Sequence, residues 1–235
     1  MSTVSEKEKK TRVVIGLPGD DFTQAFLLSW TQALHALWAS NRYDVVLSPG
    51  KSSFVSFARM QTLGVDVRRG KNQKVLNGEP FDVYVSIDSD VVFSAGQLIE
   101  LIECTKLHPV VSGYYMMSNN KQFAVVRDWN KTHFVEHGTF PFLESKDLDS
   151  YVTTFKESVE ARQKAEKELK EKEEKEKESK EEKEEKEKEL PAISAPEFMK
   201  VSYFGLGFFA CRKEVLDALQ YPYFNRDLQR IRGND

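Results

Sequence analysis

Apolar and polar positions alternate along this chain in two rhythms, and the first of them appears at once. RVVIGLP, Arg12 to Pro18, is a short β-branched run that stops at PGDD, the pattern of a buried strand entering a turn. FTQAFLLSWTQALHALWAS, Phe22 to Ser40, then has helical spacing, with Asp20 or Asp21 placed to cap it. A second strand is predicted at Tyr43–Ser48. SSFVSFARMQTLG, Ser52 to Gly64, reads as the next helix, ending at a glycine where a left-handed residue is wanted. A polar loop leads to FDVYVSIDSDVVFS, Phe81 to Ser94, whose apolar run forms a third strand. Ser94 and Gln97 have capping-box spacing for a helix through about Lys106, and PVVSGYYMM, Pro109 to Met117, is a further strand. Strands alternating with helices imply crossover connections, hence an α/β fold with a mostly parallel sheet flanked by helices.

The rhythm fails near Asp147. From Lys156 to Leu190 the chain is almost entirely Glu and Lys, with no apolar stripe to face a core. Glu/Lys pairs three and four residues apart favour a solvated helix as readily as disorder, and a full helix would reach roughly 50 Å. Core-like sequence resumes in PEFMKVSYFGLGFFACRKEVLDALQYPYF, where an apolar strand meets Gly205 and Gly207, another strand follows, and RKEVLDAL, Arg212 to Leu219, is a short helix. The predicted organisation is a disordered tail over 1–11, an α/β domain over 12–155, a charged insertion over 156–190, and the remainder of the domain over 191–235. The insertion is a tolerated loop or a docking arm for a protein partner.

Composition narrows the classes. With 235 residues, 40% of them hydrophobic, the chain can build one sizeable core. A net charge of −3 argues against a general nucleic-acid binder, which needs a basic face. Cys104 and Cys211 lack metal-ligand spacing and read as reduced, buried thiols of a cytoplasmic protein. MSTVSEKEKKTR has no apolar signal core, and no later run is long enough to cross a bilayer. The sequon at Asn130 therefore reads as chance.

The chemistry concentrates in Asp88-Ser89-Asp90. In an open α/β sheet ligands collect at the carboxyl ends of strands, and in an extended segment residues i and i+2 point the same way. Two hard oxygen donors there suit Mg²⁺ or Mn²⁺, which bind diphosphates. The plainer reading is an Asx turn in which a carboxylate caps nearby amides.

FDVYVSIDSDVVFS resembles the strand and Asp-x-Asp motif of GT-A-fold nucleotide-sugar glycosyltransferases, family 2-like members especially. VVIGLPG looks like their first strand and nucleotide-binding loop, and SFARMQTLG is similar to their Ala-Arg-Asn helix, with Met60 in place of the Asn. VVSGYYMM and VSYFGLGFFACRKEVLDALQYPYF are similar to later core segments. The matches span about Arg12 to Phe224, apart from the insertion. The resemblance implies a UDP- or GDP-sugar donor, a glycan or other hydroxyl acceptor, and Mn²⁺ or Mg²⁺ held by Asp88 and Asp90. It further implies that Asp88 faces the ribose or a metal-bound water and that Asp90 ligates the metal. Arg59 would serve the donor side, with a surface helix arginine as its ordinary reading. Pro18, Gly19 and Asp20 would approach the nucleoside, and Gly205 and Gly207 would let backbone approach the sugar or acceptor. Family members commonly continue with an acidic segment carrying the base and a His completing the metal site. Here the sequence closes with FNRDLQRIRGND, which leaves Asp227 and Asp235 as candidates for the base, each also readable as a surface carboxylate.

Three other readings compete. HFVEH, His133 to His137, fits the His-x-x-Glu-His pattern of inverted zinc peptidases, with Glu136 as base. RDWNKT before it and Gly138 after it offer little helix, so His133 and His137 are expected in a loop or acceptor cleft. His35 and His108 read as helix-face and helix-end residues. A sugar-phosphate nucleotidyltransferase would want basic residues after the first strand, and GLPGDDF supplies none. A non-catalytic interaction protein would work through the charged segment and keep the sheet as scaffold.

Overall fold

The computed structural model describes residues 9–70, 72–178 and 198–219. Asp227, Asp235, the charged stretch 179–190 and the first eight residues of the expected tail lie outside them. The chain divides into two compact units, Met1–Tyr115 with Phe204–Asp235, and Met116–Tyr203.

The first unit is α/β. β1 (Thr11–Pro18) leads to α1 (Gln24–Ala39), β2 (Tyr43–Gly50) to α2 (Val55–Thr62), and β3 (Val83–Ile87) to α3 (Ala95–Cys104) and β4 (Val110–Ser112). Two short 3₁₀ turns, Val67–Arg69 and Val75–Gly78, lie between α2 and β3. Asn130 precedes the second unit's α4 (Lys131–His137), which follows β5 (Val125–Val126) and leads to α5 (Ser145–Glu178). β6 (Tyr203–Phe204), β7 (Phe208–Arg212) and α6 (Lys213–Ala218) close the described chain.

The five-stranded sheet has the order β2-β1-β3-β7-β4. β1 pairs in parallel with β2 and β3, whereas β7 runs antiparallel to both β3 and β4. The sheet is therefore mixed, not mostly parallel as the strand–helix rhythm suggests. The reason is β7: it enters after the second unit rather than by a helical crossover, so nothing compels it to run parallel. A mixed sheet with helices on both faces is compatible with a Rossmann-like arrangement.

Every residue of β3 is buried, as expected of a central strand covered on both faces. Val83, Val85 and Ile87 face α1 and α3 in a core with Ile15, Phe26, Leu37, Leu98 and Phe208. Tyr84 faces the other side with Val14, Met60, Leu63, Phe209 and Cys211. Cys211 is buried as expected, while Cys104 is only half-buried.

The capping box of Ser94 and Gln97 is present in both halves, and Gly64 has the left-handed φ of +66° that its place after α2 calls for. The cap of α1 differs from expectation. Thr23 Oγ1 accepts from the Phe26 backbone N–H, and neither Asp20 nor Asp21 caps. Thr23 wins because it stands three residues before the N–H it accepts from, the spacing a capping side chain can span.

In the second unit, β5 pairs with β6 in a two-stranded sheet. Trp129, Phe134, Phe140, Phe142 and Tyr203 form an aromatic cluster around Phe140. α5 begins at Ser145 and continues unbroken past Lys156, so the charged run as far as Glu178 is the extension of a helix about 51 Å long. Its first turns carry half-buried Leu148, Tyr151 and Phe155.

Candidate functional site

β3 ends at Ile87, and the backbone N–H of Val91 donates to the Asp88 carbonyl at 3.1 Å. Asp88-Ser89-Asp90-Val91 is thus a β-turn, with Ser89 and Asp90 at its corners. The period-two argument, in which both carboxylates point the same way from an extended segment, does not apply to this turn. Asp88 is half-buried and Asp90 is exposed.

Three other segments converge on this turn. From β1, buried Pro18 runs into Gly19, whose φ of +142° is one that residues with side chains rarely adopt. A Cβ on Gly19 would meet Ser89 Oγ at 3.1 Å. The Thr23 N–H donates to the Ser89 carbonyl at 3.2 Å, which fastens the loop leaving β1 to the Asp-Ser-Asp turn. From β2, the Gly50 carbonyl accepts from the Gly19 N–H at 2.8 Å, and Lys51 pairs with Asp20. That hydrogen bond to Asp20 raises the Lys51 pKa above its ordinary value. Ahead of β7, the Gly207 carbonyl accepts from the Asp88 N–H at 2.8 Å, and the Gly207 N–H donates to the Tyr115 hydroxyl at 2.9 Å. A Cβ on Gly207 would lie 2.6 Å from the Tyr115 oxygen and 2.9 Å from Asp88 Oδ2, so a side chain there would force Tyr115 and Asp88 to move. Gly205 is buried two residues earlier.

Arg59 is the least expected member. It is 8% exposed, not the surface arginine of its ordinary reading. From α2 its guanidinium donates to Asp88 Oδ2 at 2.8 Å, the Leu206 carbonyl at 2.8 Å and Ser86 Oγ at 3.2 Å. Thr62 Oγ1 donates to the Arg59 carbonyl at 2.7 Å, which leaves it to accept from the buried Tyr84 hydroxyl at 2.6 Å. Burial pushes the Tyr84 pKa up to about 12, outweighing its hydrogen bonds and the nearby Arg59 charge.

The donor set has a clear chemical character. Among the described residues no group of three His, Cys, Asp or Glu side chains is placed to hold a metal ion. Among the described residues, Asp88 and Asp90 are therefore not part of a closed protein cage. Mg²⁺ and Mn²⁺ sites that take one or two carboxylates and fill the rest with water and phosphate oxygens need no more than this pair. Arg59 occupies one oxygen of Asp88, so the other is the one such a cation would use.

No family model, curated protein or solved structure matches the chain. The functional reading accordingly rests on the residues themselves. Pro18, Gly19, Asp20, Arg59, Asp88, Asp90, Gly205 and Gly207 all belong to the first unit, and hydrogen bonds or near contacts join Gly19, Arg59, Asp88 and Gly207 to one another through the turn. His133 and His137 belong to the second unit. They lie on α4, not in the expected loop: Asn130, within RDWNKT, caps the helix by accepting from the His133 N–H at 2.9 Å.

Lys51 and Tyr115 escaped the sequence reading. Lys51 stands three residues after the strand expected over Tyr43–Ser48, near the position where an open α/β sheet gathers ligand contacts, and that placement is its available signal. Tyr115 offered none, since its role depends on β7 passing beside β4. A cavity of about 280 Å³ lies elsewhere, lined by Thr11, Asp82, Glu103, Lys106 and Arg212. It sits where β1 and β3 begin, at the edge opposite the Asp-Ser-Asp turn, and Glu103 is already engaged by Lys106 and Tyr43.

Proposed function

We propose that the chain is a GT-A-like glycosyltransferase domain that binds a UDP- or GDP-sugar at the Asp-Ser-Asp turn and transfers the sugar to an acceptor hydroxyl. The observation that carries this reading is topological. β2 lies on one side of β1 and β3 on the other, so the strand order reverses at the carboxyl ends of β1 and β3. Ligands of open α/β sheets bind at such a switch point, and Gly19 and Asp88-Ser89-Asp90 stand on its two sides.

Asp90 and the second oxygen of Asp88 would hold Mn²⁺ or Mg²⁺ together with the donor's diphosphate. When bound, that cation would neutralise charge developing on the leaving nucleoside diphosphate. Arg59 fixes Asp88 in orientation. Gly19 and Gly207 keep the floor free of side chains, and the Lys51–Asp20 pair forms a polar rim for the nucleoside. The attacking hydroxyl must lose its proton to a base, for which Asp227 and Asp235 are the proposed carboxylates.

Calorimetric titration of UDP, GDP and their sugar conjugates, with and without Mn²⁺, on wild type and Asp90→Ala tests the reading. Metal-dependent binding that disappears in the variant supports it. Binding that is unchanged in Asp90→Ala, or absent from folded wild type, removes it. A second reading, an interaction protein acting through its charged segment, draws support from the continuous helix of α5.

A further inference from the structure

His133 and His137 form a site that the proposed transfer does not use. They sit on one turn of α4, residues i and i+4, about 40° apart around a helix of 3.6 residues per turn. The helix is held in rotation by Phe134, which is buried and stacks on Phe140 with ring centroids 4.5 Å apart. Asn130 caps one end, and Gly138 closes the other with a φ of +69° and an N–H donated to the Phe134 carbonyl at 2.8 Å. With α4 fixed at both ends, the two imidazoles are brought together, their centroids 4.5 Å apart and their planes inclined by 51°. Glu136 Oε2 lies 3.9 Å from His137 Nε2.

We propose that His133 and His137 together chelate one divalent transition-metal ion, Zn²⁺ above all, with solvent completing its coordination. Zinc–imidazole bonds of about 2.0–2.1 Å at a tetrahedral angle put two ligand nitrogens ~3.3 Å apart. Rings whose centroids are 4.5 Å apart are close enough for one ion to be shared by a nitrogen of each. Imidazole nitrogens select Zn²⁺, Ni²⁺ or Cu²⁺, whereas Mg²⁺ and Ca²⁺ prefer oxygen, so this site and the Asp88–Asp90 pair take different metals. With two protein ligands, the site is open and exchanges its metal, unlike the closed four-ligand sites of structural zinc. A metal that bridges one turn also stabilises a seven-residue helix, which is too short to persist on its own propensity. The ion thereby becomes a ligand whose binding firms the second unit by mass action.

Zinc titration of the full chain tests this independently of the glycosyltransferase reading. Wild type and Asp90→Ala are each expected to bind one equivalent, with affinity at least tenfold weaker in His133→Gln and in His137→Gln. The imidazole resonances of His133 and His137 should shift on addition of Zn²⁺ while those of His35 and His108 stay in place. Zinc should raise the melting temperature of wild type and leave that of either His variant where it was. His137 is more than half exposed, so its replacement leaves the fold intact without metal. Affinity unchanged in either His variant, or no zinc bound by wild type at millimolar concentration, overturns the proposal.

Discussion

The Arg59 guanidinium lies 2.8 Å from the Asp88 carboxylate, and the pair ties α2 to the carboxyl end of β3. Its side chains are 10% and 28% exposed, so the pair is largely shielded from solvent. Because Arg59 also holds the Leu206 carbonyl and Ser86, the end of β3 and the segment ahead of β7 both depend on one cation. Asp88 is therefore as much a structural group as a candidate ligand, whereas exposed Asp90 is free of that duty.

Removing Arg59 leaves the Asp88 carboxylate and a carbonyl short of partners, which costs about 3 kcal/mol in largely buried pairs. Arg59→Ala should lower the urea midpoint accordingly. Asp90→Ala, at an exposed turn corner, should stay within ~0.5 kcal/mol of wild type. Equal stability losses in the two variants would show that this division of roles is wrong.

The parts of the fold that local pattern fixes were legible in advance. β1 and β3, the Ser94–Gln97 capping box and the Gly64 helix end follow from residues within a few positions of each other. The direction of β7 was not, because it depends on how the chain returns after the whole second unit. The site divides along the same line. Gly19, Asp88 and Asp90 announce themselves by their place at strand ends. The burial of Arg59 does not, since its partners Asp88 and Leu206 are 29 and 147 residues away. α4 differs from expectation for a local reason: the Asn130 cap within RDWNKT and one buried Phe hold a helix whose other flanking residues are poor helix formers.

Gly207→Ala places a methyl group 2.6 Å from the Tyr115 oxygen, 2.7 Å from Cζ and 2.9 Å from Asp88 Oδ2. Overpacking of this kind costs about 1–3 kcal/mol. Tyr115→Phe removes the nearest of those atoms, so the double variant should lose less stability than the sum of the single changes. Strict additivity in a denaturation cycle would mean that the backbone moves away and the close approach is not a constraint.

Tyr84 and Cys211 are register partners on β3 and β7, both buried in the same face of the sheet. Burial raises the tyrosine from 10.0 to about 12 and the thiol from 9.0 to about 12. Both groups bind their protons more tightly when folded. Their contribution is whole below the unfolded pKa values and is lost as pH rises through the folded ones. Stability should therefore fall between about pH 9 and 12, each group removing roughly 1.4 kcal/mol per pH unit while it is ionised only in the unfolded chain. In Cys211→Ala the decline should begin nearer pH 10, leaving the tyrosines Tyr84 and Tyr43, both raised above their ordinary value chiefly by burial. An unchanged onset in that variant would remove the thiol from the account.

α5 runs from Ser145 to Glu178, and its half-buried residues Leu148, Tyr151 and Phe155 precede the Glu/Lys run. Deleting residues 156–190 keeps that stripe and discards at least 23 residues of helix, 156 through 178. Glu/Lys pairs contribute only a few tenths of a kcal/mol each to their own helix. The deletion should thus lower helical ellipticity while leaving the thermal midpoint of the sheet and any Mn²⁺-dependent UDP or GDP binding unchanged. Nucleotide binding lost with the helix, in protein that still melts cooperatively, would place the charged segment in the donor site. Nucleotide binding kept while a protein partner is lost would make α5 a docking arm beside a working enzyme, and the two readings of this chain would then both hold.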